Sequence, residues 1–360
     1  MVEGMLKASF SPRQFLLPDE RFRLVSGKVR PHMNHKSPRT SVDVRTVVPE
    51  PRFRSLIRMA PGIRMWLADA ALLACAFLWG LGFVAMKSGL SVYSTWWLLF
   101  LRFGGGTLLM LLFFAKRIRR ASGGDLLGGA VIGLFLFLGM GLQTLGLNYT
   151  AAGRQAFLTA GYVVLVPLLL WGLRRLFPGW LTLAAALVCF IGMGLLTSDL
   201  SGPMNLGDIL TIASTFMFAG QIISIGHYAA RGDPIVLTFV QFLVTAALSA
   251  LTGLISRDPF VWQGTRGLLE VGFATFFATF ACFLIQNCAQ KFTLPSHAAL
   301  LLGLESVFGL LGGIFLLGET FTVRMAVGCL LIFSSVLSVE LAPLFRVSGV
   351  SGESRGCPSP

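Results

Sequence analysis

Residues 69–83 read DAALLACAFLWGLGF, and residues 208–222 read DILTIASTFMFAGQI. An offset of 139 lays Asp69 on Asp208 and Phe77 on Phe216, and carries the Arg102-Phe103 pair onto Gln241-Phe242. Past a loop insertion, an offset of 143 lays Gln143 on Gln286, Thr150 on Thr293 and Ala156 on Ala299. Two Leu/Ala/Gly-rich helices share apolar identities by chance. Here polar residues align as well, and each half holds the same number of apolar stretches. Asp69 to Leu200 and Asp208 to Pro343 are therefore read as one five-helix unit written twice. Five is odd, so the second copy is expected to cross a membrane in the opposite sense to the first. Inverted repeats of this kind mark secondary transporters, whose substrate site lies where the two halves meet.

Composition points to the same class. Hydrophobic residues make up 55% of the 360-residue chain and charged residues 12%, with a mean hydropathy of +0.76. No soluble domain of ordinary surface-to-volume ratio buries that much apolar surface. Ten apolar stretches are long enough to cross roughly 30 Å of hydrocarbon at about 1.5 Å per helical residue. They run over 68–90, 95–115, 124–147, 155–172, 179–197, 206–228, 234–255, 267–290, 295–318 and 321–344. Little sequence separates them, which leaves no room for an inserted soluble catalytic domain. Runs such as AVIGLFLFL at 130–138 lack the alternation of a membrane β-strand. The expected fold is all-α and polytopic, with ten transmembrane helices in two inverted five-helix repeats.

Lys116, Arg117, Arg119 and Arg120 crowd the second loop, Arg174 and Arg175 the fourth, Arg231 the sixth and Lys291 the eighth. The first, fifth and ninth loops carry no Lys or Arg, while the seventh, with Arg257 and Arg266, is a mild exception. The positive-inside rule then makes the even loops and both termini cytoplasmic. The predicted setting is the inner or plasma membrane.

Residues 1–65 form a different kind of segment, with thirteen Lys/Arg against five Asp/Glu and seven prolines from Pro12 to Pro61. Such a stretch is expected to be a disordered extension. Two readings of its charge stand: a cytoplasmic tail near anionic lipid, or a nucleic-acid-binding arm, of which the tail is the simpler. Initiation at Met59 or Met65 is a further option. The expected organisation is an extension at 1–65, repeats at 66–200 and 201–344, and a tail at 345–360. Five of six cysteines (Cys75, Cys189, Cys282, Cys288, Cys329) lie inside apolar stretches, and no C-x-x-C pair occurs. Only His227 and His297 accompany the membrane part, so a multi-histidine metal centre is not expected, nor is any cofactor.

A family resemblance rests on several short pieces in order. They are FLWGLGF at 77–83, LRF at 101–103, LNYTAAG at 147–153, AFLT at 156–159 and VPL at 166–168. The second half adds Gly207-Asp208, Leu304-Glu305-Ser306 and Leu317-Gly318-Glu319. Over about residues 68 to 344 the chain resembles the EamA-type branch of the drug/metabolite transporter superfamily. The resemblance implies a carrier of small polar metabolites, amino acids or related compounds, working in export. One departure stands out: the family often has proline after the glutamate of helix nine, where this chain has Ser306, which predicts a softer kink.

A charge at the bilayer centre costs about 2.5–3.5 kcal/mol on insertion scales, so one that is present there marks a functional candidate. Arg102 and Glu305 qualify. Arg102 offers a planar fork of donors for a carboxylate, or else holds helix two in place through carbonyls or an acid. Glu305 is placed to carry a coupling proton, or else to pair with Arg102. Lys87, near the end of helix one, is a weaker pathway candidate because it can snorkel. Asp208, Glu270 and Glu319 read as helix caps and stops. Gln143 and Gln286 are the best of the uncharged polar set, because the repeat directs both toward the centre. Trp79 and Tyr149 are candidates for cavity wall or gate. No H-E-x-x-H, G-x-S-x-G or G-x-x-x-x-G-K-[ST] occurs in the membrane part, which removes metalloprotease, serine hydrolase and ATP-driven pump chemistry. An intramembrane transferase or a non-transporting scaffold is the alternative. Expected partners are a small solute, the bilayer and protons, with no nucleic acid, and a monomer or homodimer as the working form.

Overall fold

The computed structural model describes residues 61–90, 93–150, 152–175, 177–196, 203–260, 264, 271–317 and 322–350. The basic segment up to residue 60, the tail beyond 350, Glu270 and Glu319 lie outside the described residues, as does the side chain of Lys87. Among the described residues there is helix and no strand.

The first repeat contributes α1 (Pro61–Leu90), α2 (Thr95–Ile118), α3 (Gly123–Gly146), α4 (Ala152–Thr159), α5 (Tyr162–Arg174) and α6 (Trp180–Leu196). The second contributes α7 (Leu206–Tyr228), α8 (Pro234–Ile255), a π-helical segment (Ala274–Ala281) running into α9 (Cys282–Ala289), α10 (Pro295–Gly303), α11 (Glu305–Leu317) and α12 (Val323–Val350). Among the described residues, seven helical stretches are long and apolar enough to cross a membrane, and three shorter apolar ones accompany them. Large apolar side chains point outward from them, Leu112 on α2, Leu254 on α8 and Leu330 on α12 among them. A lipid-facing surface needs that, and a water-facing one would not tolerate it in such quantity.

Local sequence sets the starts. Ser122 caps α3 through a reciprocal box with Asp125, and Asn205 caps α7 through the same box with Asp208. Asp208 is thus part of the helix start, as its sequence position suggested: it is the third helical residue, and its carboxylate accepts from the Asn205 N–H. Asp233 caps α8, where Pro234 takes the first helical position, one that has no use for an N–H.

Among the described residues, three of the ten expected spans are interrupted or wound differently, and α2 carries a kink at Phe114. The span expected at 155–172 is two helices, α4 and α5, separated at Ala160-Gly161. That expected at 295–318 is α10 and α11, separated at Leu304. The 143 offset carries Gly161 onto Leu304, so the breaks are equivalent. Both are built alike: Gly161 N–H donates to Leu158 O at 3.1 Å and Leu304 N–H to Leu301 O at 3.2 Å, tight i to i+3 bonds. A glycine sits at each break, Gly161 and Gly303, and glycine is the poorest helix former after proline. Pro167 lies inside α5, whereas α11 has Ser306 and no proline. The third case is the span expected at 267–290, which winds into the wider π form over Ala274–Ala281.

Packing follows the repeat. Helix α2 lies on its counterpart α8, and α6 on α12. The remaining large contacts come in equivalent pairs. Helix α3 packs on α7 as α9 packs on α1, and α7 packs on α5 as α1 packs on α11. Each repeat thereby lends its third and fifth elements to the first helix of the other. At α1 against α11 the approach is close: a Cβ on Gly80 would stand 2.6 Å from Glu305 O and 2.7 Å from Gly309 N. Hydroxyls inside the helices are satisfied by the preceding turn, Thr107 donating to Phe103 O and Thr245 to Gln241 O, both at 2.8 Å.

Candidate functional site

Where the two repeats meet there is a cavity of about 110 Å³, measured as the space that the centre of a water molecule can occupy. That holds several waters or a small solute. Its lining is drawn from equivalent positions of both repeats. Trp79 faces it from α1 and Phe218 from α7; Met140 and Gln143 from α3, with Phe283 and Gln286 from α9; Thr159 from α4 and Leu302 from α10. Tyr162 and Glu305, the first residues of α5 and α11, make the fifth pair. The offsets of 139 and 143 relate the two members of each pair, while Arg102, Gln221, Ile222 and Ala278 line the cavity without a counterpart there.

Glu305 is 7% exposed and accepts a hydrogen bond from the Tyr162 hydroxyl, 3.2 Å from Oε1. It owes its position to the break at Leu304, which makes it the first residue of a new helix in the bundle interior. Arg102 is 3% exposed and donates through Nε and Nη2 to Thr279 Oγ1, at 3.2 and 3.1 Å. Thr279 belongs to the π-helical segment. The same segment supplies Ala278 O to the indole N–H of Trp79 at 2.8 Å, and the Trp79 ring stands edge-on to Phe283 at 5.1 Å. Segments of π-helix appear often at functional sites, and this one orients two side chains of the cavity.

Gln143 Nε2 donates to Thr159 Oγ1 at 3.1 Å, and Gln143 O accepts from Gln155 Nε2 at 2.6 Å. Two further amides are incompletely used. Gln221 Nε2 and Gln286 Oε1 are buried and have no partner among the described residues, though both residues line the cavity. A buried amide group without a partner costs about 1–3 kcal/mol. Chemically the cavity offers a guanidinium, a carboxyl group, amides that can donate or accept, and aromatic walls. Among the described residues that line it there is no Ser, Cys or His, so it presents no nucleophile with an imidazole beside it.

Of the residues singled out in the sequence, Arg102, Glu305, Gln143, Gln286 and Trp79 come together here. Tyr149 does not line the cavity; it sits in the turn after α3 and is 57% exposed. Lys87 belongs to α1, with its side chain outside the described residues. Tyr162, Thr159 and Thr279 were not anticipated, and Gln221 belongs to the uncharged polar set, in which helix packing is the default reading. The repeat held a signal for Tyr162, because the 143 offset that maps Gln143 onto Gln286 also maps Tyr162 onto Glu305.

Comparison with known proteins bears directly on this two-repeat site. Residues 66–198 and 205–341 each match the model of the EamA-like transporter family. The chain belongs to the EamA-like transporter family. A relative from Archaeoglobus fulgidus named "Uncharacterized transporter" is 33% identical over 282 residues, 78% of this chain and 88% of the relative. A protein of known crystal structure is similar in fold, with a TM-score of 0.65 at 18% identity over 76% of this chain and 96% of that one. With these matches and its apolar helices, this family member is a multi-pass membrane transporter.

Proposed function

We propose that the protein is a secondary carrier that exports small polar metabolites, amino acids or related compounds, across the inner or plasma membrane by alternating access. The carrying observation is the cavity lined by equivalent residues of both repeats, where Arg102 and Glu305 face the same space. Sites at a repeat interface, bounded by interrupted helices, are how inverted-repeat carriers hold substrate. The seven long and three shorter apolar stretches support ten spans, in halves at 66–200 and 201–344 of opposite sense. The loop charges support cytoplasmic termini.

In this reading Arg102 anchors an anionic group such as a carboxylate, and Gln143, Gln221 and Gln286 meet the polar remainder. Trp79 and Phe218 wall the apolar side, and Glu305 exchanges a proton for substrate. Lys87 and Tyr149 serve the route at its margins. Because α1 packs on α11 and α7 on α5, rocking one half against the other moves Glu305 and Tyr162 relative to the first helices.

The test is uptake of a pooled panel of amino acids, nucleosides, sugars and amphiphilic cations into proteoliposomes under an imposed pH gradient. Wild-type protein is compared with Glu305→Gln. Accumulation that follows the gradient and collapses in the variant supports a coupled carrier. Accumulation that survives removes Glu305 from coupling, and no movement of any solute under any gradient overturns the reading.

A further inference from the structure

Two contacts between the repeats are made by equivalent side chains that differ in charge. In one, Asp208 of α7 is fully engaged. Thr150 donates to its Oδ1 at 2.9 Å, Arg154 reaches Oδ2 at 2.7 Å, and the Asn205 N–H reaches Oδ2 at 3.0 Å. The offsets of 139 and 143 carry Asp208, Thr150 and Arg154 onto Asp69, Thr293 and His297. These three meet in the second contact, where Thr293 donates to Asp69 Oδ1 at 3.0 Å. There the likeness ends. The His297 Nε2 lies 2.7 Å from Oε1 of Glu340 on α12. Asp69 Oδ2 has no partner among the described residues, although Asp69 is only 3% exposed.

The charge count is therefore unequal. A guanidinium answers one carboxylate in the first contact, whereas a single imidazole is shared by two carboxylates in the second. A buried carboxylate oxygen without a partner is expensive, and a cation beside it would offset that cost. One ligand atom each from Asp69, His297 and Glu340 lies within 4.8 Å of the others.

We propose that Asp69, His297 and Glu340 bind one divalent transition-metal cation of the zinc or manganese class. Imidazole nitrogen with two carboxylate oxygens suits such ions, whereas Mg²⁺ prefers oxygen ligands alone and Cu(I) prefers sulfur. Ligand atoms about 2.0–2.2 Å from a tetrahedral ion stand roughly 3.3–3.6 Å apart, so on binding the His297–Glu340 pair, 2.7 Å apart, opens while the wider separations of up to 4.8 Å close, each by an ångström or so of side-chain rotation. Three protein ligands leave a fourth position for water. The ion supplies the positive charge that Arg154 supplies at the equivalent contact. Because Asp69 comes from the first repeat and His297 and Glu340 from the second, the ion fastens one repeat to the other. The sequence argued against a centre of several histidines; this set needs one.

The test uses the full chain, purified in detergent and stripped with a chelator, titrated with Co²⁺ while its visible absorption is followed, with Zn²⁺ as competitor. One equivalent of Co²⁺ should bind, displaced by Zn²⁺, with no thiolate charge-transfer band. Asp69→Asn and Glu340→Gln should each weaken binding by more than about tenfold, the least that loss of even an outer-shell partner costs. His297→Arg should abolish binding while the protein stays monodisperse, since it installs the cation found at the equivalent contact. Should that variant not fold, Glu340→Gln carries the test. His227→Ala should bind as wild type. Absence of stoichiometric binding, a thiolate band, or binding indifferent to the Asp69 and Glu340 substitutions overturns the site, and leaves a proton on His297 as the source of charge.

Discussion

Tyr162 donates a hydrogen bond to Glu305 across the repeat boundary, hydroxyl to Oε1 at 3.2 Å, and the two residues are each other's counterparts in the internal repeat. Each opens the second segment of an interrupted helix. Two equivalent residues that touch mark the place where the repeats coincide, and there one repeat supplies a neutral donor and the other an acid.

Removing that hydroxyl separates structure from function. Interhelical hydrogen bonds in membranes average about 0.6 kcal/mol, so Tyr162→Phe should lower unfolding free energy by under about 1 kcal/mol. If Glu305 exchanges protons with substrate, the same variant should change the rate and pH profile of gradient-driven uptake far more than its stability. Unfolding in detergent beside proteoliposome transport reads both; a large stability loss with unchanged transport per folded molecule would make the pair purely structural.

Gly80 is where α1 and α11 come closest. Gly80→Ala would put a methyl group 2.6 Å from Glu305 O and 2.7 Å from Gly309 N, and neither backbone atom can rotate away. Overpacking of this kind costs about 1–3 kcal/mol. Gly172→Ala is the comparison, since nothing lies within 4 Å of its added carbon, and its melting temperature should match or exceed wild type.

Thr279 accepts two hydrogen bonds from Arg102. Thr279→Val keeps the shape and deletes the acceptor of two Arg102 N–H groups, so it should cost about 1 kcal/mol, two interhelical hydrogen bonds at roughly 0.6 kcal/mol each. Arg102→Lys should not behave as a conservative change, because an ammonium cannot present the planar fork that reaches Thr279 with two nitrogens. Denaturant titration of the three proteins checks the order.

The two first-helix aspartates should respond in opposite ways. Asp208→Asn leaves Arg154 facing a neutral amide and should cost about 3 kcal/mol, as loss of one partner of a buried ion pair does. In metal-stripped protein Asp69→Asn should be neutral or stabilising, because its Oδ2 has no partner among the described residues. Thermal unfolding under chelator compares them, and equal losses would contradict the difference in charge between the two contacts.

Much of this was legible in the chain. The apolar runs and the 139 and 143 offsets gave the helical class and the two-repeat pattern, because hydropathy and internal likeness are properties of sequence order. Arg102 and Glu305 stood out because lipid makes buried charge rare. That Tyr149 stands outside the cavity lining was not legible, because an aromatic side chain in a motif carries no information about which way its turn faces.

By itself, then, the sequence determined that this chain dissolves in lipid as paired helices and that two charges are kept inside. Tertiary structure alone decided where the helices break, that Ala274–Ala281 winds wider to reach Arg102 and Trp79, and that Tyr162 rather than Arg102 donates the hydrogen bond seen on Glu305 Oε1. It also decided that Asp69 meets His297 and Glu340. The physical reason is separation: Tyr162 lies 143 residues from Glu305 and Asp69 lies 271 residues from Glu340 in the chain, and only packing of one repeat on the other sets their distances.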